Sequence, residues 1–213
     1  MKNNEKYLMS FLVGGLFYQH SLSLAELYLA LKDWNEVSKK VLDQNILQAR
    51  MVSSAKRITL EIINRLKTLT LQELELLTST SPIEQKQILF ISVCRRYKFI
   101  YDFAKDVIRE RYLTLKYDLP TEEFDSFYNQ KEQWHEELEK ISPSSKYKLR
   151  TVLYKILLEA EIIDKNKIIM PTMLSPELIS LVAKKDLDDL LVFPISDIDI
   201  KKGLWWKIDN MLL

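Results

Sequence analysis

The chain has 213 residues, 47% of them apolar, with 31 Lys and Arg set against 30 Asp and Glu. That length supports one substantial core or two small ones, and the near-zero net charge excludes a protein that coats nucleic acid by bulk charge. Three glycines leave few positions for hairpins or phosphate-cradling loops, so the expected class is all-α, a multi-helix bundle. The single cysteine, Cys94, excludes an internal disulfide and points to a reducing, cytoplasmic compartment.

Residues 7–25 carry no Lys, Arg, Asp or Glu and follow Lys2 and Lys6. The dense apolar part, residues 7–18, is too short to cross a hydrocarbon core of about 30 Å, and no small-x-small cleavage site follows it. A packed helix kinked at Gly14-Gly15 is expected there, with no membrane partner. Ser21 or Ser23 then caps a helix to about Leu31, and Asp33 with Glu36 opens another to about Gln44.

Residues 46–69 read as one helix with Leu47, Met51, Ala55, Ile58, Ile62, Leu66 and Leu69 in a core stripe. The opposite side gathers Arg50, Ser53, Arg57 and Asn64, flanked by Lys56 and Lys67. Five Lys and Arg stand against one acid, Glu61, in this stretch, so the outer face can hold an anion. A solvated surface is the ordinary alternative for such a face. Thr70-Leu71-Gln72-Glu73 starts a short helix, and Ser81-Pro82-Ile83-Glu84 starts the longest helical pattern, to about Leu115, as one helix or two. On it Lys98, Lys105, Arg109 and Lys116 share a face on which Asp102 and Asp106 offer ordinary pairing. Arg96 and Arg111 fall toward the apolar side, where a guanidinium needs a carboxylate or a ligand.

Pro120 and Thr121 open an acidic helix to about Lys140, a brace for those inward arginines. Residues 118–139 hold eight acids and one Lys. Ser144 or Ser145 caps a helix to Ala160, and two β-branched runs around residues 162–170 offer a small hairpin. Helix followed by hairpin is the winged-helix, helix-turn-helix-like ending, with Lys148, Thr151 and Lys155 on the helix and Lys165 and Lys167 on the wing. Ser175-Pro176-Glu177 opens a last amphipathic helix, and the aromatic tail GLWWKIDNMLL is expected to dock. The boundary at Ser142-Pro143 divides the chain into 1–141 and 142–213, or the two form one continuous domain.

The chemistry-bearing motifs are missing. There is no Gly-rich phosphate loop, no GxSxG elbow and no paired-cysteine spacing. His20 and His135 lack a His/Cys metal constellation, and His135 reads as a half-exposed helical residue. Cys94 beside Arg95 and Arg96 invites a lowered thiol pKa, but it borders an apolar face and reads as a small core residue. No catalytic residue, metal or cofactor is expected. A two-metal nuclease built from carboxylates alone is the third and weakest option.

The stretches GGLF (14–17), LAELYL (24–29), LQAR (47–50), AKRI (55–58), RLKTLT (65–70), CRRYKFI (94–100), RER (109–111), LKYDL (115–119) and WHEEL (134–138) resemble the BrxA family, the small helical component of BREX bacteriophage-exclusion systems. The resemblance implies a bacterial, all-helical, non-enzymatic protein that binds double-stranded DNA beside a BREX methyltransferase, ATPase and phosphatase-like protein. It supplies no catalytic residues. Charge geometry within these stretches then nominates Arg50, Lys56, Arg57 and Lys67 as phosphate contacts, Ser53 and Asn64 as neutral donors, and Lys98, Lys105 and Arg109 as a second tier. The rival expectation is a protein-interaction scaffold in the BREX complex, its basic helix facing an acidic partner and its tail anchored in a neighbouring subunit.

Overall fold

The computed structural model describes residues 6–12 and 14–211, with side chains to residue 205. It is all-α: twelve α-helices, one π-helical segment and one 3-10 segment, with isolated antiparallel bridges in place of a sheet among the described residues.

Local cap chemistry sets many of the helix starts. Asp33 accepts from the Asn35 N–H at the head of α2 (Trp34–Asp43), and Thr70 and Glu73 form a complete capping box on α4 (Leu71–Ser79). Ser-Pro pairs open α5 (Pro82–Arg96), α10 (Pro143–Glu159) and α11 (Pro176–Lys185), with Ser81, Ser142 and Ser175 as caps. Ser142 thus takes the role expected of Ser144 or Ser145.

The N-terminal segment corrects the sequence expectation. Residues 6–12 and 14–17 form no helix, and α1 (Tyr18–Leu31) begins only after Phe17, a left-handed residue. Its backbone groups find side chains far away in sequence instead of helical partners. Glu137 accepts the Tyr7 N–H at 2.7 Å, Glu159 accepts the Leu16 N–H at 2.5 Å, and Arg65 donates to the Gly15 carbonyl at 2.7 Å. Gly15 permits this approach, since a Cβ there would lie 2.2 Å from a Glu159 carboxylate oxygen. Tyr7, Phe11 and Leu16 are buried along the way.

The expected helix over 46–69 is shorter, α3 (Val52–Leu66). Asn45 and Gln48 take positive φ and turn the chain before it, which leaves Met51 as an N-cap, 64% exposed rather than in the core stripe. Ala55, Ile62 and Leu66 are buried, and α3 packs on α1, α2 and α5.

The long pattern after Ser81 breaks at Tyr97, whose φ and ψ are extended. It resumes as α6 (Lys98–Phe103), a π-helical stretch over Ala104–Arg109 and α7 (Glu110–Leu113). The π turn holds one residue more than an α turn, so the faces before and after it do not align. The acidic segment divides into α8 (Thr121–Glu132) and α9 (Glu136–Glu139), separated at His135. His135 is buried rather than half-exposed, stacked on Tyr7 at 4.0 Å with Nδ1 3.0 Å from Glu137.

After α10 the chain makes the expected small hairpin: Ile163 bridges Ile169, and Asp118 bridges Ile168 from the other side. A 3-10 turn (Leu187–Val192) and α12 (Asp197–Met211) complete the described residues. Gly203 packs against Ile179 and Leu204 is partly buried on the core, while Trp205 is exposed. The side chains of residues 206–213, the remainder of the expected docking tail, lie outside the described residues. No helix among the described residues is long and apolar enough to cross a membrane.

Candidate nucleic-acid interface

The outer face of α3 is built by what happens to its one acid. Glu61 turns inward, 2.6 Å from Arg65 Nε and accepting from the Tyr97 hydroxyl at 2.6 Å. Arg65 itself is buried, donating to Gly15 and lying 5.4 Å from the centre of the Phe17 ring. Burial and the Glu61 hydrogen bond push the Tyr97 phenol up to about 12, so it stays a donor at neutral pH. The core therefore takes both Glu61 and Arg65 out of the surface charge.

What remains outside is cationic. Arg50, Ser53, Lys56, Arg57 and Lys67 are exposed, and Asn64 is half-buried. None of the four cations has an ion-pair partner among the described residues. The N-terminus of α3 has neither a side-chain cap nor an acid in its first turn, so its free N–H groups and dipole add to the positive potential. Leu60 and Val52 are exposed on the same helix.

The second tier is paired rather than open: Lys98 takes the Asp102 that the spacing offers, whereas Lys105 and Arg109 turn to acids distant in the chain. Lys98 is bound to Asp102 at 2.8 Å, and Lys105 reaches Asp188 at 3.1 Å. Arg109 is buried and bound to Asp197 at 2.6 Å. The wide π turn is the physical reason, because it rotates Arg109 off the line through Lys98 and Lys105.

The inward arginines were only partly legible. Arg111 meets Glu123 of the acidic helix at 2.5 Å and Asp118 at 2.7 Å, the brace expected. Arg95, which the periodicity did not single out, is the most connected. Its guanidinium forks onto both Glu73 carboxylate oxygens at 2.7 Å, and Nε donates to Asp189 at 2.7 Å. Burial opposes ionisation of Glu73, but Arg95 and the Thr70 N–H outweigh it and hold the carboxyl below its usual range. Adjacent Cys94 is fully buried, and burial with the nearby Asp189 charge pushes its thiol well up despite Arg95. Ellman's reagent at pH 8 should therefore label the native protein at least about tenfold more slowly than the unfolded chain; equal rates would show the thiol to be open.

Further exposed polar and cationic residues lie on α10 and in the hairpin turn. Lys148, Thr151 and Lys155 of α10 are exposed, as are Lys165 and Lys167 in the turn. Lys155 lies 3.7 Å from Glu159. Among the described residues no three His, Cys, Asp or Glu side chains converge to hold a metal ion.

The BrxA family model matches residues 5–186. A BREX protein BrxA of Escherichia coli O9:H4 (strain HS) is 28% identical over 193 residues, covering 90% of this chain and 91% of that protein. A BREX protein BrxA of Bacillus cereus (strain H3081.97) is 26% identical over 132 residues, 62% of this chain and 66% of that one. A crystal structure of an uncharacterized protein from Magnetospirillum magneticum superposes with a TM-score of 0.73 at 20% identity, over 88% of this chain and 97% of that one; at that identity the likeness concerns the fold alone. With most of its length matched by the family model, the chain belongs to the BrxA family.

Proposed function

We propose that this BrxA-family chain is a non-enzymatic component of a BREX anti-phage system that binds double-stranded DNA along the phosphate backbone. The observation that carries this reading is the outer face of α3 and its two ends: Lys56 and Arg57 exposed on the helix, Arg50 just before its uncapped N-terminus and Lys67 at its C-cap, with no carboxylate among the described residues paired to any of the four. Phosphates would supply both the counter-charge and the missing acceptors. The order of elements from α6 to the hairpin adds support. A helix, a short extended piece at residues 117–119, the helices α8 and α10 with the four-residue α9 between them, and a hairpin follow one another much as in a winged helix, with the exposed lysines on α10 and the turn. Partners within the BREX complex fit the same assignment.

Duplex titrations at several salt concentrations test this directly. Log K should fall linearly with log salt, and replacing Arg50 and Arg57 together by Ala should flatten the slope by about 2. Loss of affinity should be equal on unrelated sequences. Unchanged binding by that variant would remove α3 from the interface.

Exposed Leu60 and Val52 among the cations favour a second reading, a scaffold face that meets an acidic protein segment. Under that reading Leu60→Ser would abolish capture of a BREX subunit, and duplex DNA would bind weakly with no dependence on Arg50 or Arg57.

A further inference from the structure

Of the arginines in the apolar strip, Arg95 and Arg111 are matched by carboxylates and Arg96 is not. No hydrogen bond or ion pair reaches its guanidinium among the described residues, and its Nε is closed off from solvent without an acceptor. The Tyr97 ring lies 6.0 Å from its guanidinium carbon. A planar donor fork left in this state is poised for a ligand.

The space in front of it is a surface cleft of about 690 Å³, walled by Arg96, Lys6, Lys98, Tyr101 and Lys185. Of the acids at its edge, Asp189 is charge-paired with Arg95, while the Asp186 carboxylate is engaged among the described residues only by a backbone N–H, that of Asp188 at 3.0 Å, and keeps its charge. Lys98 is held by Asp102. Among the described residues Lys185 has only the Thr68 carbonyl as a hydrogen-bond partner, and burial with the adjacent Arg95 charge holds its pKa down. An incoming anion would satisfy Arg96 and relieve the repulsion on Lys185 together.

We propose that this cleft binds a phosphate group, gripped in bidentate fashion by Arg96 and charge-paired with Lys185 and Lys6. Arg is the side chain whose two parallel N–H groups match phosphate oxygens, and an ammonium adds a point charge. The cleft exceeds one phosphate in size, so the group belongs to a larger molecule. It has two sources with the same chemistry: a backbone phosphate of bound DNA, since Thr68 at the end of α3 lines the cleft, or a free phosphorylated small molecule. The site stands independently of the α3 reading, because it shares none of the residues nominated as phosphate contacts on that helix.

Calorimetric titration of the full chain with inorganic pyrophosphate at low salt tests the site. Saturable one-to-one binding is expected, weakened at least about tenfold by Arg96→Ala, less by Arg96→Lys, and unaffected within about twofold by Arg50→Ala with Arg57→Ala. Lys185→Ala, at the exposed rim, should weaken it as well, and serves if Arg96→Ala fails to fold. Pyrophosphate that displaces duplex DNA, with reduced duplex affinity in Arg96→Ala, assigns the cleft to a backbone phosphate. Pyrophosphate that binds without displacing duplex assigns it to a separate ligand. Binding that is absent in the native protein, or as strong as native in both Arg96→Ala and Lys185→Ala, overturns the proposal.

Discussion

Replacing Arg95 by alanine should lower the unfolding free energy by about 3–5 kcal/mol, the cost of leaving buried carboxylates without their counter-ion. Glu73 and Asp189 are both buried, and the single guanidinium ties α4, α5 and the 3-10 turn together. Urea denaturation at neutral pH measures the loss, and a cost below about 1 kcal/mol would mean the cluster is hydrated and dispensable. The pH dependence carries a sign of its own. In the native protein the Glu73 carboxyl is depressed, so its contribution is present above the unfolded carboxylate range and is lost as pH falls through the lower folded value. Burial raises Asp189 despite Arg95, so its contribution runs the other way, present at low pH and lost as pH rises. Without Arg95 both carboxyls should be raised by burial, and both should favour the fold more as pH falls. The stability gap between native protein and variant should therefore narrow toward acid.

The second large effect should come from Gly15→Ala, with a loss of about 2–3 kcal/mol. The new methyl would meet the Glu159 carboxylate at 2.2 Å. If Glu159 moves, the Leu16 N–H loses its acceptor; if the backbone moves, the Arg65 bond to the Gly15 carbonyl stretches. A double-mutant cycle with Glu159→Ala separates the clash from other effects. The double variant should be more stable than the sum of single losses requires, and simple additivity would show that the contact does not set the glycine.

How much of this was readable in advance follows the range of each interaction. Caps such as Thr70, Ser81 and Ser175 act within three residues, so their chemistry is visible in a short window. The exposure of Lys56 and Arg57 follows from helical periodicity, whereas Arg50 and Lys67 are exposed in the turns that flank α3. The path of residues 6–17 did not, because the groups that replace its helical hydrogen bonds come from Arg65, Glu137 and Glu159. Arg95 with Asp189 and Arg109 with Asp197 pair across comparable separations in the chain. Glu61 is instructive in both directions. In the sequence it is the only acid offsetting the basic face, and only the packed Tyr97 and Arg65 reveal that it points inward.

Several stretches that carry the family resemblance turn out to be joints of the scaffold rather than pieces of one surface. GGLF accommodates Glu159 and Arg65, CRRYKFI holds the Arg95 cluster and the Tyr97 contact to Glu61, and WHEEL supplies the Glu137 clasp on Tyr7. The unpaired Arg96 lies within one of these stretches as well.

The wide turn over Ala104–Arg109 bears on how such chains can vary in length. Because it already contains a surplus residue, deleting one there would tighten it into regular helix while both flanks kept their places. Single-residue gaps among homologues should fall between Phe103 and Glu110 more readily than elsewhere along that rod, with the partner of Arg109 changing whenever they do.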